Sequence, residues 1–188
     1  AAGKALALDA SSEEGHRILG LVNAAWADGV VDGPAGGSED AWRAEAITHL
    51  QTVQNSPAMA TDLGLQLTLA RQLLGADRAA DAVPLLERIV SQTGPAGEPV
   101  SMLAEALRAL GQLERATTVL EQAAAANPRY FMALGDILEL QSKFEEAADA
   151  FDRGAKALRT PGRELRLRRV NALLGIPDGK GAERAVTA

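Results

Sequence analysis

Three stretches of this chain superimpose on one another. Residues 69–89 read LARQLLGADRAADAVPLLERI, residues 103–123 read LAEALRALGQLERATTVLEQA, and residues 134–154 read LGDILELQSKFEEAADAFDRG. Each opens on a large apolar residue followed by a small one: Leu69-Ala70, Leu103-Ala104 and Leu134-Gly135. Thirteen positions after the large residue stands Ala82, Ala116 or Ala147; four further on, Leu86, Leu120 or Phe151; three further still, Ile89, Ala123 or Gly154. The alanines are spaced 34 and 31 residues apart. A fourth copy lies upstream in Leu19-Gly20, Ala46, Leu50 and Val53, where 27 residues instead of 13 separate the opening residue from the alanine. A period of this length marks stacked units, none of which buries its apolar face alone. The small residues let two helices cross with axes ~8–10 Å apart, and the large ones fill the space beside the crossing.

Composition supports helices as the units. The chain of 188 residues is 47% hydrophobic but only 3% aromatic, so its apolar content is mostly Ala, Leu and Val. Small and straight-chain residues lose little entropy in a helix, and a sheet protein would need more β-branched and aromatic side chains. The net charge of −6 argues against nucleic acid as the main partner. With no cysteine there is neither a disulfide framework nor a thiolate metal site. No apolar run reaches the length of a membrane span. Cytoplasm and periplasm both remain open. The chain opens on Ala1-Ala2-Gly3 rather than Met, so the lack of a visible leader says nothing of a parent protein.

The pattern resembles the tetratricopeptide repeat family. In that family the first helix of a unit carries a large apolar residue, then Gly or Ala. The second carries a small residue, then an aromatic or Leu, then another small residue, and a Pro closes the unit. Asn127-Pro128 matches the closing Pro, and Tyr130-Phe131 the aromatic that opens a first helix. Ile89 and Val53 depart from the late small position. The resemblance implies an all-α, right-handed α-solenoid, in a chain whose Ala-, Gly- and Arg-rich usage looks bacterial. The expected organisation is the tail of a preceding repeat over 1–10, repeats over 11–57 (with an insertion at 28–40), 58–96, 97–127 and 128–160, and a partial repeat over 161–188. Both ends read as cut from a longer protein.

Helices are expected near 1–8, 12–27, 39–54, 60–75, 78–92, 98–110, 113–126, 129–141, 144–158, 163–174 and 181–188. Capping boxes are read at Ser11–Glu14 and Ser142–Glu145. Asn127-Pro128 and Thr160-Pro161 each put a capping residue before Pro. Gly75, Gly111 and Gly175 sit where first helices end.

No residues assemble into a catalytic set, and no cofactor or metal is implied. His16 and His49 fall on different helices without the spacing of a helical metal pair, and are read as packing or surface groups. The stretch 175–181 faintly echoes a phosphate loop but lacks its spacing and its Ser or Thr, so it reads as a turn. Arg163, Arg166, Arg168 and Arg169 make a basic helix, facing solvent, an acidic partner or an acidic patch on an adjoining repeat. The insertion reads as a mobile loop, tolerated or touching a partner, with Trp26 and Trp42 clamping its base.

The resemblance further implies that first helices line a concave groove. The groove-facing positions are then Arg17, Leu21 and Ala24; Leu67, Arg71 and Leu74; Ser101, Glu105 and Arg108; and Met132, Asp136 and Glu139. The Lys, Asn and Arg set with which some members grip a C-terminal carboxylate is absent, so an extended or helical peptide is the expected ligand. The expected function is a non-catalytic scaffold binding a protein or peptide, with homo-oligomers through the terminal repeats a further possibility. Two alternatives stand beside it: a substrate-recruiting arm of a larger transferase or hydroxylase, and a periplasmic arm of a polysaccharide export system.

Overall fold

A computed structural model describes residue 9 and residues 11–158, 163–177 and 180–186. Every regular element among them is a helix: α1 (Glu13–Ala27), α2 (Glu39–Thr52), α3 (Pro57–Thr61), α4 (Leu63–Gly75), α5 (Ala79–Thr93), α6 (Glu98–Ala109), α7 (Leu113–Ala126), α8 (Tyr130–Leu140), α9 (Phe144–Ala157), α10 (Arg163–Leu174) and α11 (Lys180–Val186). The fold class is the α-solenoid expected from the repeat. The expected helix over 1–8 and the Thr160-Pro161 cap lie outside the described residues. The chain divides into two compact units, residues 1–92 and 93–188.

In the first unit α1 pairs with α2, and α4 packs against both while α3 packs on α4. In the second, each helix from α6 to α11 packs on the next. The repeat positions form the core of both units. Ala46, Ala82, Ala116 and Ala147 are all at 0% exposure, and Leu50, Leu86, Leu120 and Phe151 do not exceed 1%. The reason for the small partner is visible at two glycines. A Cβ on Gly20 would lie 2.7 Å from the Leu50 side chain, and one on Gly135 would lie 2.3 Å from the Phe151 ring. Thus in these two units the small residue of the first helix receives the large residue of the second, with no room for a Cβ.

The ends of the first helices repeat as well. Arg78 N–H donates to Leu73 O, Gln112 N–H to Leu107 O, and Lys143 N–H to Leu138 O, each at 2.8–2.9 Å. Such a bond, reaching back five residues, closes a helix around one residue in the left-handed region. Those residues are Asp77 (φ 57°), Gly111 (φ 69°) and Ser142 (φ 59°). Their spacing, 34 and 31 residues, equals that of the buried alanines.

This geometry corrects several local expectations. All three glycines expected at the ends of first helices stand there, Gly75 as the last residue of α4 and Gly111 and Gly175 just beyond α6 and α10, but only Gly111 takes the left-handed turn. Gly75 instead lets the Arg43 side chain pass, since a Cβ there would stand 2.6 Å from Arg43 Nε; Gly175 gives room to the Phe144 ring, 2.8 Å from its would-be Cβ. Neither capping box forms. Ser12, not Ser11, caps α1 by accepting from Gly15 N–H at 3.2 Å, while Ser11 bonds to Asp9 and Glu14 turns outward to Arg17. Ser142 is held in the preceding turn, so it cannot cap α9, and Glu145 instead meets Arg184 at 3.2 Å. The helix expected over 60–75 is two helices. Ser56 caps α3, and Asp62 both ends α3 and caps α4, its Oδ1 accepting from Leu65 N–H at 2.9 Å. The fully buried Gln66 ties the two together by donating to Met59 O at 2.8 Å and Ala60 O at 3.1 Å.

The inserted segment is folded back onto α1 and α2. Val30 N–H donates to Ala25 O at 2.9 Å, and Ser38 caps α2. Gly33 and Gly37 lie against the Trp42 ring, so closely that a Cβ on either would come within 2.5 Å of it. Trp26 and Trp42 meet with ring centroids 6.0 Å apart, as expected of a clamp at the loop base.

Candidate partner-binding surface

The first helices of the second unit, α6 and α8, present charged residues above small ones. Ser101, Glu105 and Arg108 follow one another at helical spacing along α6, and Asp136 stands on α8. Together they line a cavity of about 190 Å³ whose remaining walls are Ala104, Leu120, Ala133 and Ile137. The cavity exists because alanines face each other across the two helices where longer side chains would fill the gap. Arg108 donates to Glu105 through Nε at 2.9 Å and again through its second amino nitrogen. Those hydrogen bonds hold the Glu105 carboxyl below the usual carboxylate range. The rim therefore offers a hydroxyl, two carboxylates and a guanidinium around an apolar floor.

Four of the positions expected to face a ligand are thus brought to one place. Met132 is half-buried on α8 and does not line the cavity. Glu139 lies one turn beyond Asp136, and both are bound by Arg168 from α10, at 2.9 Å for Glu139. Burial raises the Glu139 carboxyl above its ordinary value; Arg168 pulls it down and Asp136 pushes it up. Arg169 reaches Asp152 at 3.5 Å. Two of the basic residues of α10 are therefore engaged by the acidic patch of the adjoining repeat, while Arg163 and Arg166 are exposed. Sequence reasoning named Arg168 within the basic helix, with an acidic patch on the adjoining repeat among its readings, but did not single out the alanine-lined floor. The pair Ala104 and Ala133, small residues on successive first helices, was the available signal.

In the first unit the expected residues are more scattered in role. Arg17 pairs with Glu14 at 2.8 Å, and Leu21 is 41% exposed beside Ile18 at 39%. Ala24, expected to face a groove, is instead in the core at 2% exposure, because α2 and α4 both close over that side of α1. Leu67 and Leu74 are half-buried on α4. Arg71 lies 3.9 Å from Asp28, which also accepts from the buried Gln72 at 2.9 Å. A second cavity, of about 340 Å³, opens elsewhere in this unit over Met59, Leu69 and Leu73, with Gln51, Gln54 and Asn55 on its rim.

Among the described residues no group of three or more His, Asp or Glu side chains is placed to hold a metal ion, and no helix is long and apolar enough to cross a membrane. No curated protein sequence matches the chain. Residues 73–137 match the tetratricopeptide repeat family model. Solved structures share the fold over most of the chain. One is MamA, with 16% identity, a TM-score of 0.65, and coverage of 90% of this chain and 87% of that one. Another is YrrB, described as a TPR protein with an unusual peptide-binding site: 18% identity, a TM-score of 0.65, and coverage of 87% and 77%. A third, from Podospora anserina, is a set of nearly identical TPR-like repeats of a putative kinesin light chain: 20% identity, a TM-score of 0.61, and 91% of each chain. Buried alanines and helix-ending turns thus recur in one shared period, the central repeats match the tetratricopeptide repeat family model, and the chain shares the fold of solved TPR proteins.

Proposed function

We propose that the chain is a non-catalytic scaffold that binds a peptide or protein along the face made by its first helices. The observation that carries this reading is the cavity of the second unit, where Ser101, Glu105, Arg108 and Asp136 surround a floor of Ala104, Leu120, Ala133 and Ile137. An apolar floor with a few convergent polar groups suits one aliphatic side chain of an extended or helical segment, its backbone and polar neighbours meeting the rim. The peptide-binding description of YrrB, which shares the fold, supports the same reading. The remaining first-helix positions, Arg17, Leu21, Leu67, Arg71, Leu74, Met132 and Glu139, are proposed to extend the contact surface.

Panning a random-peptide library against the whole chain tests this. Peptides enriched on the wild type should bind the Ala133→Leu variant at least about tenfold more weakly, because a leucine there fills the cavity. Arg108→Glu, on the rim, should weaken the same peptides. Equal affinity for wild type and both variants, each with an unchanged circular dichroism spectrum, would remove the cavity as the binding site.

A further inference from the structure

His16 lies in the first turn of α1 and His49 in the last turn of α2, 33 residues apart in sequence. The fold sets their Nδ1 atoms 2.8 Å from each other, with ring centroids 5.0 Å apart and ring planes tilted by 49°. The centroid separation nearly equals the nitrogen–nitrogen distance plus the two ring radii. The facing nitrogens therefore lie close to the line between the rings, each aimed at the other. A metal ion held by both would need them to converge on a point off that line. Two nitrogens placed head-on at this distance share one proton: one ring donates Nδ1–H and the other accepts. When both rings are protonated, two donors and two positive charges face each other, and the contact becomes repulsive.

Charged groups on the surrounding elements act on the pair in both directions. On α2, Glu45 lies one turn before His49 and favours its protonation. Burial, the largest influence, and the charge of His16 both work the other way, so the His49 imidazole sits below its ordinary range. On α1, Glu13 and Glu14 precede His16 and Arg17 follows it; Glu14 is engaged by Arg17, and Asp62, at the start of α4, adds to the field around Arg17. Further along α4, Arg71 meets Asp28 at the other end of α1. The short α3 carries no charged residue.

We propose that His16 and His49 form a proton-controlled latch between α1 and α2, closed while one proton is shared and released when both rings are protonated. Arg17 and Leu21 ride on the same helix as His16, so release changes how the first unit presents them. The inference is independent of the peptide-binding reading. Its sign follows from proton linkage. In the unfolded chain the His49 imidazole takes up its proton near pH ~6.5. In the folded chain burial and the charge of His16 move that uptake to lower pH, so the unfolded state binds more protons in between. Stability is then full above that range and is lost as pH falls from about 6.5 toward the folded value.

The test is an NMR titration of the imidazole resonances in the whole chain, wild type, His16→Gln and His49→Gln. The His49 midpoint of the wild type should lie below that of His49 in His16→Gln. On acidification, amide exchange along α1 should accelerate in the wild type and much less in either variant. A His49 midpoint that His16→Gln leaves unmoved, or one that moves without faster exchange in α1 of the wild type, would overturn the latch. Both variants serve the comparison, so loss of folding in one leaves the other to decide it.

Discussion

Gly135 and Ser142, seven positions apart on one helix and its turn, show how differently a single residue can be constrained. Gly135 has ordinary helical geometry, and what forbids a side chain is the Phe151 ring 2.3 Å from where Cβ would stand. Gly135→Ala should therefore destabilise the chain by about 1–3 kcal/mol, the range for overpacking a core, as measured by chemical denaturation. Ser142 is the reverse case: it is exposed, but its φ of 59° is one that side chains other than Gly and Asn adopt at a cost. Ser142→Gly should stabilise by roughly 0.5–1 kcal/mol, matching what Gly111 already does at the equivalent turn. Both effects come from one repeat unit, yet only the first concerns packing.

At the scale of the element, Asp62 and Arg168 join helices that the repeat pattern treats as separate. Asp62 lets the chain stop α3 and begin α4 within one residue. Asp62→Ala removes the acceptor for Leu65 N–H and should cost about 0.5–2 kcal/mol, the usual range for a lost N-cap. Arg168 binds Asp136 and Glu139 across from α10 to α8. In Arg168→Met those carboxylates are left to repel each other. Burial and Asp136 already raise the Glu139 carboxyl, so the folded state of the variant binds more protons than the unfolded one in the pH range just above the carboxylate values. The sign is then a stability that rises as pH falls from 7 toward 5, relative to wild type, readable as a smaller difference in melting temperature at the lower pH.

At the scale of the molecule, a solenoid spreads its core over many small crossings instead of one large one. In the second unit each helix leans on the next, so damage at one crossing is felt mainly by its neighbours. Ala147→Leu, at a position with 0% exposure, should accelerate amide exchange in α8, α9 and α10 while leaving α1 and α2 close to their wild-type rates. Uniform loss of protection through all the helices would show a single cooperative core instead. The same economy explains the candidate surface. With alanines serving the crossings, first helices have room to leave an open floor between Ala104 and Ala133, rimmed by charges that need not be buried.

The repeat, its helix pairs and the identity of the buried small residues were readable from the order of residues alone. They rest on contacts whose spacing recurs: an alanine thirteen positions after a leucine is buried in three of the four units, so the pattern declares itself. Four of the positions that the family resemblance implied would face a ligand line one cavity. Tertiary structure decided what happens only once. Arg168 finds its carboxylates 29 and 32 residues back, and His16 finds His49 across an inserted loop. These pairings depend on where rotamers and helix ends arrive in space, and no local period encodes that.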